Sequence, residues 1–558
     1  MARTGRHRKR DPGRESSAVN PTGRTSPHPA LLQTDILHEI CSHLKPLATD
    51  KLLGHSGLNS LARCARISRA FHEPALRALW WALPSIREAL ELFSAFELVH
   101  TDRRRDSWDE DSDCYCLFTQ EISQKEWERF RRYAGYVRII REEPPHYLVQ
   151  PSVFLYLSCL CGGQPLFPNL RELTWRAMTL HHTELILLAT PTLRKLVMEL
   201  KYESPDDTYH VEATALDTLL RMTTSQLSGL QELAILSGEY HRAPSNLFAL
   251  TSIPQLRHLR ILHLDCDITD DDFLATLAAL PDLAELNIAL DLDLDPPTPH
   301  KNSFAALRKL TVRSFRGSPD NFPGVFASPN LDTLSITLQG TPWPPALALL
   351  HTSATRYRRL RSLTFSVAGY HADFVSTAPN IHTLLNPLLH ASAIEEFAFD
   401  VSAPVVFESS GGNQELIRLA KAWPQLRSLE FIVTLSRGVE PQPLVAFAQH
   451  CPDLRTLRFR AINFENLTDE QLNAAPVYNH ELRILDACTA CIGTDGATRA
   501  AALLHRLFPH LVVWTIPDCM ACDLRYFSHG EDLRRIKHLA SRQAAKTRVA
   551  GSTQVSVA

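Results

Sequence analysis

The chain has no apolar run approaching the roughly 20 residues that a bilayer span requires. Its opening, Met1-Ala-Arg-Thr-Gly-Arg-His-Arg-Lys-Arg10, is not followed by an apolar cleavable segment, so no secretory signal is legible. Charge of one sign is scarce too. With 58 Lys and Arg against 61 Asp and Glu, the net charge is -3, too weak a field to grip a phosphate backbone or an anionic membrane. Only 21 glycines are spread over 558 residues, and none builds a phosphate-cradling loop. A nucleophile elbow and paired catalytic carboxylates are missing as well. These absences argue against a membrane, a nucleic acid or a cofactor as partner, and against an enzyme. Without an export signal the 12 cysteines are expected to be reduced thiols, which places the chain in the cytoplasm or nucleus.

What the sequence does have is one phrase, many times over. Pro254-Gln-Leu-Arg-His-Leu-Arg-Ile261 and Pro452-Asp-Leu-Arg-Thr-Leu-Arg-Phe459 both read Leu-x-x-Leu, with a third bulky apolar residue two positions later. The last two anchors alternate as a strand with one buried face requires. The same anchors recur as Leu170/Leu173/Trp175, Leu193/Leu196/Met198, Leu230/Leu233/Ile235, Leu256/Leu259/Ile261, Leu283/Leu286/Ile288, Leu307/Leu310/Val312 and Leu331/Leu334/Ile336. They continue as Leu360/Leu363/Phe365, Ile394/Phe397/Phe399, Leu426/Leu429/Phe431, Leu454/Leu457/Phe459, Leu482/Leu485/Ala487 and Leu511/Trp514/Ile516. About thirteen copies at roughly 23 to 37 residues signal a stacked solenoid. Between them, Thr183 to Thr190, Asp270 to Leu280, Pro443 to Gln449 and Thr498 to Phe508 read as helices. The acids Asp270 to Asp272 suit a helix N-terminus better than a metal. Strand, turn, helix and strand in constant order predict an α/β solenoid over residues 166–528, with parallel strands on the concave side and helices outside.

The N-terminal part reads differently. Residues 1–30 are a basic tail too poor in apolar side chains to order, and Arg6 to Arg10 suit either a nuclear import signal or a solvated tail. In residues 31–84, Ile36, Leu37, Ile40, Cys41 and Leu44 share a helical face, with Thr34 placed to cap it. A second run covers Leu58 to Phe71, and Pro74 opens a third helix with Leu76, Leu79, Trp80 and Leu83 on one face. Three short helices hide too little surface to be comfortable alone, so the module should have a partner. Residues 85–165 are expected to be a helical connector with an exposed mixed-charge loop at 101–113, and residues 529–558 a C-terminal tail.

The stretch from Leu32 to Leu44, then Leu61-Ala-Arg-Cys-Ala-Arg-Ile-Ser-Arg-Ala-Phe71, then Leu76-Arg-Ala-Leu-Trp80 resembles an F-box, although Gln33, Asp35, Ile67, Ser68 and Phe71 depart from that family's usual residues. Trp127 to Val137 and Pro151 to Leu173 look like the connecting region of fungal F-box proteins with degenerate leucine-rich repeats. The usual Asn five residues after the middle leucine is replaced by Lys201, Asp291, Gln339 or Thr434, which predicts less regular turns. The resemblance implies a non-catalytic substrate-recognition subunit of an SCF-type (Skp-cullin-F-box) ubiquitin ligase, recruiting a Skp-type adaptor and a cullin. The alternative is an interaction scaffold without ubiquitin transfer.

For adaptor docking the residues are Leu32, Ile36, Leu37, Ile40, Leu44, Leu61, Ile67, Phe71, Leu79 and Trp80. For an unknown target protein they are strand positions flanking the third anchor: Arg176, Arg260, Arg313, Asp400, Glu430, Arg458, Arg460 and Asp486. The pairs Cys488/Cys491 and Cys519/Cys522 could close a zinc site or simply fill turn positions with small thiols. Cys114/Cys116 and Cys159/Cys161 would each share a face if their segments were strands, and they read as unrelated thiols.

Overall fold

The computed structural model describes residues 33–45, 54–100, 114–141, 148–178, 184–200, 209–237, 252–268, 271–292, 303–317, 322–339, 343–368, 380–401, 406–407, 411–491 and 496–512. The chain divides into two compact units, Met1–Ala82 and Leu83–Ala558. The tails, the 101–113 loop, and the anchors Trp514 and Ile516 lie outside the described residues.

In the first unit the helices are α1 (Thr34–Ser42), α2 (Gly54–Ile67) and α3 (Arg69–Leu79), and α3 packs against both others. Leu37 and Cys41, one helical turn apart on α1, turn inward together with Leu61 of α2 and Ala75, Leu76 and Ala78 of α3. Two boundaries differ from the sequence expectation. Gln33 rather than Thr34 stands at the start of α1, without a side-chain cap. The second helix stops at Ile67 because Ser68 turns extended and its Oγ accepts the Phe71 N–H at 3.4 Å, which starts α3 there and leaves Pro74 inside that helix. Phe71 therefore belongs to α3.

The second unit opens with mixed helices and strands, where the sequence predicts a helical connector. Strands Phe96–His100 and Cys114–Phe118 pair antiparallel, and Leu148–Val149 joins the latter in parallel. Alternating β-prone residues in these short stretches outweigh the helical signal that flanks them. Helix Gln124–Ala134 is set by a capping box in which Ser123 and Glu126 bond reciprocally. Glu126 also accepts the Ser94 N–H at 2.9 Å and the Ser94 hydroxyl at 2.7 Å. Phe93, Trp127 and Phe130 stack at centroid distances of 6.3, 4.9 and 5.5 Å and seal this segment. Cys159 and Cys161 lie in helix Pro151–Cys161, so two-residue spacing puts them on different faces.

Beyond it the strands of the main sheet follow one another in chain order from Ile139–Arg141, through Glu172–Met178, Lys195–Leu200, Glu232–Ser237 and Ile261–Ile268, to Thr456–Asn463 and Ile484–Cys491. Adjacent strands pair in parallel with the middle anchors opposite one another, as in Leu334↔Leu363, Leu363↔Phe397, Phe397↔Leu429, Leu429↔Leu457 and Leu457↔Leu485. Helices such as Asp271–Ala278, Trp343–Arg356, Gly412–Ala422, Pro441–His450 and Gly496–Leu507 fill the intervals. One rung precedes those expected: Ile140 pairs with Leu173, and Val137 and Ile140 are fully buried.

One repeat is read in the wrong frame from sequence. Leu256, Leu259 and Leu262 are equally spaced, so the phrase fits two registers. Pairing of Leu262 with both Leu233 and Leu286 makes Leu259, Leu262 and Leu264 the anchors. The turns also vary as the missing asparagines lead one to expect, with register shifts between Trp175 and Met178, Ala289 and Asp291, and Val312 and Phe315. Asn463, six residues after Leu457, bridges a turn: its Nδ2 donates to the Arg437 carbonyl of the preceding repeat at 2.8 Å.

Candidate docking surfaces

On α1 the 3.6-residue period separates two stripes. Leu37 and Cys41 are 1% exposed, whereas Ile36 and Ile40, each one residue earlier, are 36% and 42% exposed. Ile67, the last residue of α2, is 69% exposed. Leu44, Phe71, Leu79 and Trp80 are half-buried. Of the ten positions expected to dock an adaptor, Leu37 and Leu61 are instead core of the unit itself, because their helical phase points them at α3. Leu32 lies outside the described residues.

The second surface is the face of the sheet opposite the buried anchors. Glu430, Arg458 and Asp486 sit directly across from one another on three successive strands. An Arg458 Nη1 to Glu430 Oε1 distance of 3.0 Å and an Arg458 Nε to Asp486 Oδ2 distance of 3.5 Å join them. Asp486 is buried and its Oδ1 has no hydrogen-bond partner. Next to them, Arg460 Nη1 donates to the Val401 carbonyl at 3.1 Å. Burial pushes the Asp400 carboxyl above its ordinary range, with Arg460 opposing and Glu430 adding to the rise. Five of the eight expected target-facing residues thus form one charged cluster.

Arg313 forms a separate centre. Its Nη1 lies 3.0 Å from Asp265 Oδ1, its Nε donates to Asn287 Oδ1 at 3.0 Å, and its Nη2 reaches His263 Nε2 at 2.7 Å. Burial, and then the adjacent guanidinium, hold the His263 pKa below its usual value, which keeps the ring neutral and able to accept from Arg313. His263 and Asp265 were not on the expected surface because the shifted frame of that repeat hid them. With Leu262 and Leu264 as anchors they take the flanking positions. Between the two centres Thr311, Ser335 and Thr364 stand in one row across adjacent strands, with Thr337 and Ser366 beside them, so small hydroxyl side chains line that part of the floor.

Arg260 is a correction. In the true frame it precedes the strand and belongs to the turn, where its carbonyl accepts the Ala284 and Glu285 N–H groups at 2.8 and 2.9 Å. Arg176 falls within strand Glu172–Met178, and its side chain lies outside the described residues. Cys488 falls within strand Ile484–Cys491 and Cys491 ends it, while Cys519 and Cys522 lie outside the described residues. Among the described residues no helix is long and apolar enough to cross a membrane.

The aligned row of middle anchors decides the architecture. The fold is a leucine-rich-repeat solenoid. No family model matches the chain, and no curated protein matches it. Among solved structures, the yeast complex of Rad7 and Elc1 is 15% identical, with 61% of this chain and 79% of that one covered and a TM-score of 0.33. An internalin from Listeria monocytogenes is 12% identical over 66% of this chain and 86% of its own, with a TM-score of 0.31. A complex of TLR13 with single-stranded RNA is 14% identical over 69% and 53%, with a TM-score of 0.32. At such identities and scores the likeness adds nothing to what the strand register already states.

Proposed function

We propose that the chain is the substrate-recognition subunit of an SCF-type ubiquitin ligase, in which the first unit docks a Skp-type adaptor and the repeat sheet holds a target protein. The observation that carries the reading is the division of α1 into an inward stripe, Leu37 and Cys41, and an outward apolar stripe, Ile36 and Ile40, in a unit whose sequence resembles an F-box. Exposed isoleucines in a small helical unit favour a partner that covers them. The target would be read by the Asp400, Glu430, Arg458, Arg460 and Asp486 cluster, where a preformed charge arrangement favours specificity over bulk affinity. The chain itself performs no chemistry in this reading. It raises the effective concentration of an acceptor lysine near a ubiquitin-charged enzyme supplied by the rest of the assembly.

The test is co-purification of the full chain with a Skp-type adaptor and a cullin, next to an I36D/I40D variant. Both partners should accompany the unaltered chain, and loss of two apolar anchors should weaken adaptor capture by about thirtyfold or more. Capture of the adaptor without the cullin would favour the scaffold reading. Equal capture by the variant would refute the docking stripe.

A further inference from the structure

The turn that precedes each strand repeats one hydrogen-bond device. The carbonyl of its last residue accepts two successive N–H groups from the same turn of the next repeat, as when Arg455 and Thr456 donate to Arg427 at 2.8 and 3.2 Å. The device fixes these residues as a single file along one edge of the sheet, spaced about 4.8 Å apart by the strand separation. The occupant of the file is predominantly arginine. It begins with Arg138, Arg171 and Arg194, alternates with other residues through Arg260, Arg308 and Arg361, and ends with Arg427, Arg455 and Arg483. Only Asp332 and Glu395 place acids in it.

Five of these nine arginines have no carboxylate partner among the described residues. Glu395 serves two neighbours, Arg361 at 3.2 Å and Arg427 at 3.1 Å, and Arg483 lies 3.9 Å from Glu481. The carboxylates one residue further along the strands are partly consumed by lysines of the same row: Glu232 pairs with Lys195, and Glu285 with Lys309 at 3.5 Å. Arg194 spends its Nη1 on the neutral Gly229 carbonyl at 2.6 Å. Arg171, Arg260, Arg308 and Arg455 are exposed and have no carboxylate partner among the described residues. A chain whose total charge is -3 therefore carries an ordered cationic edge.

We propose that this edge docks an acidic protein segment. Rows of guanidinium groups on a fixed backbone pair with carboxylates in a bidentate manner. The interspersed Asp332 and Glu395, and the Glu residues of the neighbouring row, would repel a continuous polyphosphate but leave room for carboxylates at intervals. The edge is distinct from the face that bears the Glu430 and Arg458 cluster, so it can act whether or not the ligase reading holds.

The test uses the full chain and a fluorescent Asp/Glu-rich 20-residue peptide, measured by anisotropy at about 0.05 M salt, where surface charge is weakly screened. An R171Q/R260Q/R308Q/R455Q variant is compared with an R131Q/R221Q/R356Q/K421Q variant, which removes the same charge from exposed helix positions. The unaltered chain should bind the peptide and not its all-Gln counterpart. The edge variant should lose about tenfold or more of that affinity and the helix variant less than about threefold, with thermal unfolding of both unchanged. Equal losses in the two variants, or no binding by the unaltered chain, would overturn the proposal. Tighter binding of an oligothymidine of equal length would overturn the choice of a protein ligand.

Discussion

Phe399 offers the sharpest test of how the repeats hold together. It is fully buried in strand Glu396–Val401, between Phe365 on one neighbouring strand at 6.1 Å and 9° and Phe431 on the other at 5.9 Å and 27°. Phe399→Ala removes a whole ring from a close-packed interior, which costs about 3 to 5 kcal/mol for a site that cannot collapse. With Phe397 of the same strand, at 6.4 Å and 8°, there are three stacked neighbours, each contributing about 0.5 to 1.5 kcal/mol beyond area, which places the expectation near the upper end, at about 4 to 5 kcal/mol. A solenoid repeat touches only its neighbours, so the loss should stay local. Hydrogen exchange with increasing urea should show amides of the Phe365, Phe399 and Phe431 strands opening first, while Leu233 and Leu286 keep their protection. The double variant F399A/F431A should lose less than the sum of the single losses, because the two rings share one contact. A loss below about 1 kcal/mol, or a uniform loss along the array, would refute the nearest-neighbour picture.

Three further outcomes follow from individual side chains. Glu184 is buried, its Oε2 has no partner, and desolvation raises its pKa to about 7. The folded-state pKa lies above the unfolded one, so stability is complete below about pH 4.5 and declines as pH rises to about 7; Glu184→Gln should flatten that slope, gaining on the order of 3 kcal/mol above pH 8 in denaturant titrations. Arg458→Ala leaves Glu430 and the buried Asp486 without their cation, and a cost of about 1 to 3 kcal/mol is expected, with a double-mutant cycle against Glu430→Ala showing favourable coupling. Gly229 has no room for a side chain: a Cβ there would lie 2.9 Å from the Pro191 carbonyl and would collide with the Arg194 guanidinium. Gly229→Ala should therefore destabilise by about 1 to 3 kcal/mol in urea unfolding, and a neutral result would mean that the turn can move freely.

The repeat was readable in the sequence because anchors at fixed spacing leave a period that no single substitution erases. Where spacing was ambiguous, as in Leu256, Leu259 and Leu262, only hydrogen bonding with the two neighbouring strands selected the frame. That one slip moved Arg260 onto the wrong surface and hid His263 and Asp265. The connector misled for a different reason: its strands are short, and the antiparallel pairing of Phe96–His100 with Cys114–Phe118 spans a loop of irregular composition that carries no local signal. In the first unit, sequence marked the apolar face of α1 but could not divide Ile36 from Leu37, since both fall within the same broad stripe and only the position of α3 separates them. The arginine file was visible letter by letter, yet it becomes a surface only when the turn carbonyls align its members.

In the proposed function the outward stripe of α1, Ile36 and Ile40, docks a Skp-type adaptor. Hydrogen exchange of the full chain with and without a purified Skp-type adaptor tests it most directly. Added protection should appear in Thr34–Ser42 and at the Ile67 end of α2, and it should vanish in the I36D/I40D variant. Unchanged exchange in those helices at saturating adaptor, or protection found only in the repeat strands, would contradict it.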